Sequence, residues 1–198
     1  MTLPAYILLR TSNRPKFFKV CMESIRAQDY PNIVTIVHTD DPKDDYVEGD
    51  IIIRGERDLQ ARSGYYNLYN NSLLDAIPSG DGYYFFIDDD DMYYDSTVIS
   101  KAMANAKRDY VNVARVQRWN NTIWPKTWRG QKSFQTECFF LHTMHKNKAR
   151  WWDKTGGDHY YTRQLTATMP INWVEDLIIC KAQEGKGRGL RYDLGERP

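Results

Sequence analysis

Residues 83–91 read YYFFIDDDD, an apolar and aromatic run that passes directly into four consecutive aspartates. An unbroken apolar run of this length predicts a strand that is buried on both faces. Adjacent carboxylates repel one another, and a bound cation would offset that repulsion. Because side chains alternate along a strand, we expect Asp88 and Asp90 on one face, where they suit Mg2+ or Mn2+ carrying a diphosphate. The alternative is a solvated acidic turn that caps the next helix.

Strands and helices alternate along the chain on both sides of this run. Short apolar stretches predict further strands at 5–9, 33–37, 50–53, 110–116 and 138–142. Apolar spacing and capping residues predict helices at about 16–27, 64–77, 95–106 and 156–165. This order predicts an α/β, Rossmann-like fold with a mainly parallel sheet flanked by helices. We expect one domain over residues 1–183 and a basic, glycine-rich tail over residues 184–198.

Polar clusters follow the predicted strands at residues 11–14, at Asp40-Asp41 and at residues 88–91. Ligands of open α/β sheets bind at the carboxyl ends of the strands. The coincidence of these clusters with strand ends therefore predicts one binding site at that edge of the sheet.

Composition excludes several classes of protein. Three cysteines stand far apart with no CxxC pair, which argues against a disulfide scaffold and a zinc cluster. The chain shows no signal peptide and no apolar stretch approaching ~18 residues, so we expect a cytoplasmic protein without a transmembrane segment.

Charge is distributed unevenly although the net charge is only +1. Residues 1–100 carry 17 acidic and 9 basic side chains, whereas residues 101–150 carry 2 acidic and 11 basic ones. The acidic part is expected to hold a cation, and the basic part to contact an anionic molecule. Within the basic part, Trp119, Trp124 and Trp128 alternate with arginines and lysines. This mixture fits nucleic acid, a sugar or a phosphorylated glycan, or a solvated face over packed tryptophans.

Several motifs together resemble inverting glycosyltransferases of the GT-A fold, of the family-2 type. They are RTSNRP at 10–15, Ser24-Ile25, QDYPNI at 28–33, Asp40-Asp41, Tyr66-Asn67, the DxD motif Asp88-Asp89-Asp90, GDHY at 157–160, and Arg163. The resemblance covers roughly residues 3–166. It implies an enzyme that transfers a sugar with inversion from a nucleoside-diphosphate sugar, such as a UDP-sugar, to an acceptor hydroxyl.

The resemblance also implies roles for individual residues. Donor binding falls to Thr11, Asn13, Arg14, Asp40, Asp41, Asn67, Asp88 and Asp89. Mn2+ or Mg2+ would be held by Asp88 and Asp90, with His159 as a further contact. Asp158 would be the general base, at a helix start whose dipole keeps it ionised, with a plain helix cap as the alternative. Trp119, Trp124, Trp128 and Arg163 would bind the acceptor, a glycan or a hydroxylated nucleic acid.

Two departures and two alternatives stay open. Asp40-Asp41-Pro42 lacks the Gly-Ser that often follows in the family, and the chain lacks the C-terminal extensions of many relatives. A sugar-phosphate nucleotidyltransferase also uses an α/β sheet and Mg2+, but it requires a glycine-rich loop after the first strand. Residues 11–15 contain no glycine. A non-catalytic module that binds a nucleotide-sugar or carbohydrate is the second alternative.

Overall fold

The computed structural model describes residues 2–56, 65–126 and 134–183. Within them the strands are β1 (Ala5–Thr11), β2 (Ile33–Thr39), β3 (Ile51–Arg54), β4 (Tyr83–Asp88), β5 (Asp91–Tyr93), β6 (Val111–Gln117), β7 (Ile123–Trp124), β8 (Phe139–His142) and β9 (Ile171–Ala182). The α-helices are α1 (Pro15–Arg26), α2 (Tyr69–Ala76), α3 (Val98–Asn105) and α4 (Gly157–Thr166). Short 3-10 turns cover Tyr65–Leu68, Thr136–Cys138 and Thr143–His145.

The described strands form a single mixed sheet in the order β3-β2-β1-β4-β8-β6-β9-β5, and β7 pairs with β6. The strands from β3 to β4 run parallel, whereas β8 pairs antiparallel with both β4 and β6. The sheet curls and is flanked by helices, which confirms the predicted α/β fold.

Strand β4 lies near the centre of the sheet, between β1 and β8, and all of its residues before Asp88 are buried. Phe85 stacks on Phe140 of β8, with ring centroids 4.9 Å apart. Phe86 makes edge contacts with Trp151 and with Tyr161 of α4. Aromatic pairs of this kind add to the stability that burial already provides. This packing therefore holds β4, which leads into the aspartates, in contact with α4.

The register brings the ends of three strands together. Arg10 of β1 lies opposite Asp88 of β4, and Thr11 lies opposite Thr39 of β2. Because these strands are parallel, the loops that follow them leave from the same edge of the sheet. The predicted polar clusters at 11–14, 40–41 and 88–91 therefore meet at one edge.

Some elements differ from the sequence predictions. The helix predicted at 64–77 is a 3-10 turn followed by the shorter α2. Strands β5 and β9 carry no predicted counterpart, although β9 is twelve residues long. The predicted tail at 184–198 lies outside the described residues, and so does Trp128. Among the helices that the structure describes, none combines the length and the apolar character needed to cross a bilayer.

Candidate functional site

The first ion pair of the site joins Arg10 to Asp88. The Arg10 Nε and Nη2 atoms each lie 2.7 Å from one carboxylate oxygen of Asp88, which is a bidentate pair. The same guanidinium covers the ring of Tyr66, 4.8 Å from its centroid. Sequence reasoning missed Arg10 as a site residue, although its place opposite Asp88 follows from the pairing of two parallel strands.

The second ion pair joins Arg14 to the next two aspartates. Its Nη1 lies 3.1 Å from Asp89 and its Nη2 lies 3.2 Å from Asp90. Thr11 donates a hydrogen bond of 2.7 Å to Asp89, which is only 2% exposed. Burial raises the pKa of Asp89 to about 8, although Arg14 acts in the opposite direction. Two arginines thus supply part of the positive charge that the consecutive aspartates require.

The loop between β1 and α1 is fixed by residues that sequence reasoning missed. Asp44 is buried and accepts hydrogen bonds from the backbone N–H of Asn13 at 3.0 Å and from Tyr46 at 3.2 Å. The Tyr46 hydroxyl accepts the backbone N–H of Arg14 at 2.9 Å. Asn13 adopts a left-handed conformation with φ of 50°, which asparagine tolerates better than most residues. These bonds hold Arg14 against the aspartates.

The end of β2 carries the two aspartates predicted to contact the nucleoside. Asp40 is buried and accepts a hydrogen bond of 3.4 Å from Tyr69, and the ring of Tyr69 stacks on His38 at 4.5 Å. Asp41 is partly exposed, and its carboxylate accepts the backbone N–H of Lys43 at 2.9 Å. The stacked pair and the two carboxylates form a polar wall beside the 11–14 loop.

A pocket of about 350 Å³ opens beside the end of β4. Its lining includes Asp88, Asp90, Asp91, Val116, Gln117, Arg118, Trp119, Gln135, Glu137, Cys180 and Ala182. Burial and the nearby Asp88 raise the pKa of Glu137 to about 8. Sequence reasoning missed Glu137, although it is one of only two acidic residues within 101–150.

The backbone of the acidic turn is held by Gln183, which directly follows β9. Its side-chain amide donates to the carbonyls of Asp89 at 2.8 Å and Asp91 at 3.0 Å, and its backbone N–H donates to the Asp90 carbonyl at 2.9 Å. These bonds satisfy the buried peptide carbonyls. The side chains of Asp88 and Asp90 both line the pocket, as predicted, but through this turn rather than through strand alternation.

Asp158 lies in the first turn of α4 and is partly buried. One of its carboxylate oxygens accepts the backbone N–H of the next residue, His159, at 2.8 Å, whereas the N-cap position of α4 is Gly156. Burial raises its pKa, Asp88 adds to the rise, and Arg10 opposes it. Asp158 therefore shares an electrostatic environment with the first ion pair of the site.

Close packing positions the start of α4. Gly156, the residue before the helix, has a left-handed φ of 75°, which glycine adopts without strain. A Cβ atom added to Gly157 would lie 2.5 Å from the side chain of Asn67. Asn67 is 3% exposed and donates a hydrogen bond of 2.8 Å to the carbonyl of Lys154. Asn67 thus anchors the segment that leads into Asp158, beside its predicted role in donor binding.

The predicted acceptor residues lie in different surroundings. Trp119 lines the pocket and is 51% exposed, whereas Trp124 is half-buried beneath the guanidinium of Arg118 at 4.2 Å. Arg163 is exposed on α4, and Trp128 lies outside the described residues. Trp152, which was not predicted, is exposed and stacks on Tyr160 of α4 at 5.2 Å.

The donor set suits a hard divalent cation. Asp88, Asp90, Asp91 and Glu137 all line one pocket, and Mg2+ is commonly bound by one or two carboxylates together with substrate phosphates. Across the described ranges, no three His, Cys, Asp or Glu side chains are arranged as a ready metal site. A cation at Asp88 and Asp90 would accordingly need phosphate oxygens to complete its coordination. His159 lies next to Asp158 on α4, with its ring 5.6 Å from Tyr160.

Comparison with known proteins gives matches only at the level of structure. No protein-family model matches the sequence, and no curated protein matches it significantly. Staphylococcus aureus TarS aligns over 91% of this chain and 37% of its own length, with 15% identity and a TM-score of 0.70. A structure of TarS residues 1–349 in complex with UDP-GlcNAc aligns over 94% of this chain and 60% of its own, with 16% identity and a TM-score of 0.68.

A third similar structure is the mannosyltransferase PcManGT from Pyrobaculum calidifontis, in complex with GDP-Man and Mn2+. It aligns over 95% of this chain and 59% of its own length, with 12% identity and a TM-score of 0.63. The chain thus spans between 37% and 60% of the length of these structures. At such identities the likeness establishes the fold alone: this chain has the fold that TarS and the mannosyltransferase PcManGT share.

Proposed function

We propose that the chain transfers a sugar from a nucleoside-diphosphate sugar to an acceptor hydroxyl. The observation that carries this proposal is the meeting of three strand-end loops around Asp88 and Asp90, within the GT-A-like fold. TarS and PcManGT, which share that fold, have been crystallised with UDP-GlcNAc and with GDP-Man and Mn2+. The carboxylate pocket and the arginines beside it provide the charges that a metal-bound diphosphate requires.

The donor is proposed to lie along the carboxyl edge of β1, β2 and β4. The nucleoside lies against Asp40, Asp41 and the 11–14 loop, and the diphosphate lies near Arg14 and Asp88. Asp88 and Asp90 would hold Mn2+ or Mg2+, with Asp88 shared between the cation and Arg10, which contacts both of its carboxylate oxygens. When bound, the cation would offset the negative charge that develops on the departing nucleoside diphosphate. Asp89 is buried between Thr11 and Arg14, so its contribution to donor binding is to position Arg14.

Asp158 is proposed as the general base for a direct, inverting displacement. Its carboxylate removes the proton from the acceptor hydroxyl as the bond between the sugar and the diphosphate breaks. The pKa of Asp158 is raised above its ordinary value, and a carboxylate with a higher pKa is a stronger base. His159, on the adjacent position of α4, is proposed as a further contact to the metal or the phosphates.

The acceptor is proposed to be anionic, because residues 101–150 are strongly basic. Trp119 at the pocket rim and the exposed stack of Trp152 on Tyr160 offer flat aromatic faces for sugar rings or bases. A phosphorylated glycan and a hydroxylated nucleic acid both fit this description. Acceptor affinity that stays constant as salt rises would exclude an anionic acceptor, since exposed charge contacts are screened.

The proposed reaction is tested by incubating the protein with UDP- and GDP-sugars and Mn2+ and measuring the nucleotide product. Transfer to an acceptor releases nucleoside diphosphate and leaves the sugar linked to the acceptor. Slow hydrolysis by water releases nucleoside diphosphate and free sugar. Release of pyrophosphate from a nucleoside triphosphate and a sugar phosphate would instead identify a nucleotidyltransferase. Tight binding of the nucleotide-sugar without turnover on any tested acceptor or water would favour a binding module.

A further inference from the structure

Arg14 has hydrogen-bonding capacity that the described protein does not use. The side chain is buried, with the residue 8% exposed, and it forms ion pairs with Asp89 and Asp90. Its buried Nε makes no hydrogen bond to any residue in the described part of the chain, and its buried Nη2 has the ion pair with Asp90 but no hydrogen bond there. A buried guanidinium N–H without an acceptor is costly. Arg14 lies beside the sheet edge along which the donor is proposed to bind. Its guanidinium is therefore suited to a hydrogen bond with an anionic ligand from outside the chain.

The carboxylate of Asp90 contacts Arg14 and is also proposed to bind the metal ion. Arg14 Nη2 lies 3.2 Å from one of its carboxylate oxygens. Asp90 also lines the pocket with Asp88, where a divalent cation is proposed to bind. A guanidinium and a divalent cation on one carboxylate repel each other. The ion pair with Arg14 thus opposes binding of a metal ion alone.

The partners of Asp89 differ from those of Asp90. Asp89 is 2% exposed and also accepts the hydrogen bond from Thr11, whereas the side chain of Asp90 is 20% exposed. The two contacts use different nitrogen atoms, Nη1 for Asp89 and Nη2 for Asp90, so a rotation that moves Nη2 off Asp90 can keep Nη1 on Asp89. Arg14 therefore has a fixed anchor and one partner that it can exchange.

We infer that Arg14 exchanges partners when the donor binds: its guanidinium leaves Asp90 for the donor diphosphate, and the metal ion takes its place on Asp90. The inference rests on the proposed function. It makes metal and nucleotide bind cooperatively, because the diphosphate removes the cation that keeps the metal away from Asp90. Arg14 then holds the diphosphate through Nη2, which leaves Asp90, and through Nε, which makes no hydrogen bond within the described residues.

The test measures binding, using Mn2+ alone and a panel of UDP, GDP, ADP and CDP with and without Mn2+. For Arg14→Gln we expect Mn2+ alone to bind about tenfold more tightly, because a competing positive charge is removed. We expect the same variant to bind its nucleoside diphosphate about tenfold more weakly in the presence of Mn2+. The matched control is Arg26→Gln, at the other end of α1, where Arg26 pairs with the exposed Glu48. It should change neither affinity.

Arg14→Lys keeps the inference testable if Arg14→Gln fails to fold. Lysine keeps the positive charge beside Asp89 and Asp90 but lacks the planar set of donors. We expect its affinity for Mn2+ alone to match the wild type and its affinity for the nucleoside diphosphate to fall. Arg14→Gln with unchanged or weaker Mn2+ binding, or Arg14→Lys with unchanged nucleotide binding, would overturn the exchange. A wild-type protein that binds none of the four nucleotides would overturn the proposed function instead, while the Mn2+ measurements would still decide whether Arg14 competes for Asp90.

Discussion

The carboxylate of Asp158 lies in the first turn of α4, where it accepts only a backbone N–H among the hydrogen bonds of the described residues. Asp158→Asn keeps the size and capping ability of the side chain but cannot take a proton. A positioned base contributes about 10^2–10^4-fold to rate, so turnover should fall by about that factor. Nucleotide affinity and melting temperature should change little. Asp153→Asn, on the exposed segment before α4, is the matched control.

Two results would remove Asp158 from the mechanism. Sugar transfer near the wild-type rate in Asp158→Asn would place the base elsewhere. A large loss of melting temperature would show that the negative charge of the side chain stabilises the start of α4. The two readouts separate the chemical role from the structural one.

His38, near the end of β2, is expected to make the stability of the folded chain depend on pH. Burial lowers its pKa to about 4 from an ordinary 6.5, although the Asp40 carboxylate opposes the shift. Between these pH values the unfolded chain binds a proton that the folded chain does not, so stability should fall as pH drops from 6.5 to 4. The full effect is about 3 kcal/mol.

Urea unfolding across this pH range measures the effect of His38. His38→Phe keeps the stacking on Tyr69 and removes the titrating group. We expect a smaller loss of stability between pH 6.5 and 4 in the variant than in the wild type. Equal pH dependence in both proteins would contradict the assignment to His38.

At the residue scale, sequence alone predicted that Asp88, Asp90 and the 11–14 loop lie at strand ends, because each follows an apolar run. Arg10 was predictable, because it lies one residue before the end of β1 and parallel pairing places it opposite Asp88. Glu137 and Asp44 were not, because their places depend on how loops fold back over the sheet. The use of Arg14 as a partner of Asp89 and Asp90 follows from side-chain geometry that no sequence pattern records.

At the scale of elements, the start of α4 depends on its contact with the turn before α2. Gly157→Ala would bring a Cβ atom within 2.5 Å of Asn67, so one of the two elements must move. Such overpacking typically costs about 1–3 kcal/mol. Because Asp158 is the next residue, we also expect activity to fall. Thermal melts and donor turnover measure the two effects.

A double-mutant cycle locates this effect at the contact. Asn67→Ala alone loses the hydrogen bond to Lys154, but in the Gly157→Ala background it also removes the clash. The double variant should therefore be more stable than the sum of the single variants predicts. Additive losses would show that the two side chains do not interact. Gly156→Ala, where a Cβ meets no atom within 4 Å, tests backbone strain separately.

The elements missed from the sequence share a physical cause. Strand β9 carries Glu175 and Asp176 at its centre, and its pairing with β6 shifts register there, so neither a continuous apolar run nor strict alternation marks it. Strand β5 is three residues long and overlaps the acidic turn. Both strands form because the curled sheet provides them with pairing partners: β9 pairs with β6, and β5 pairs with β9. This pairing is a property of the tertiary fold.

At the scale of the whole molecule, one sheet edge gathers the polar wall at the end of β2, a carboxylate pocket and a candidate base. Strand β2 supplies the wall, β4, β6 and β9 line the pocket, and α4 supplies the candidate base. The acidic residues lie mainly before residue 100 and the basic excess lies in residues 101–150. This division matches a donor that needs a cation and an acceptor that carries negative charge.

The central claim is that this edge binds a nucleoside-diphosphate sugar with a divalent cation. The most direct measurement is the melting temperature with a panel of UDP- and GDP-sugars, each with Mn2+ or with excess EDTA. A ligand at 100 times its Kd stabilises the folded state by about 2.7 kcal/mol. For a chain of this size that corresponds to a rise of about 5–10 °C. The account predicts such a rise with at least one sugar nucleotide in Mn2+, and its loss in EDTA and in Asp90→Asn. No rise with any sugar nucleotide, or an equal rise in EDTA and in Asp90→Asn, would contradict it.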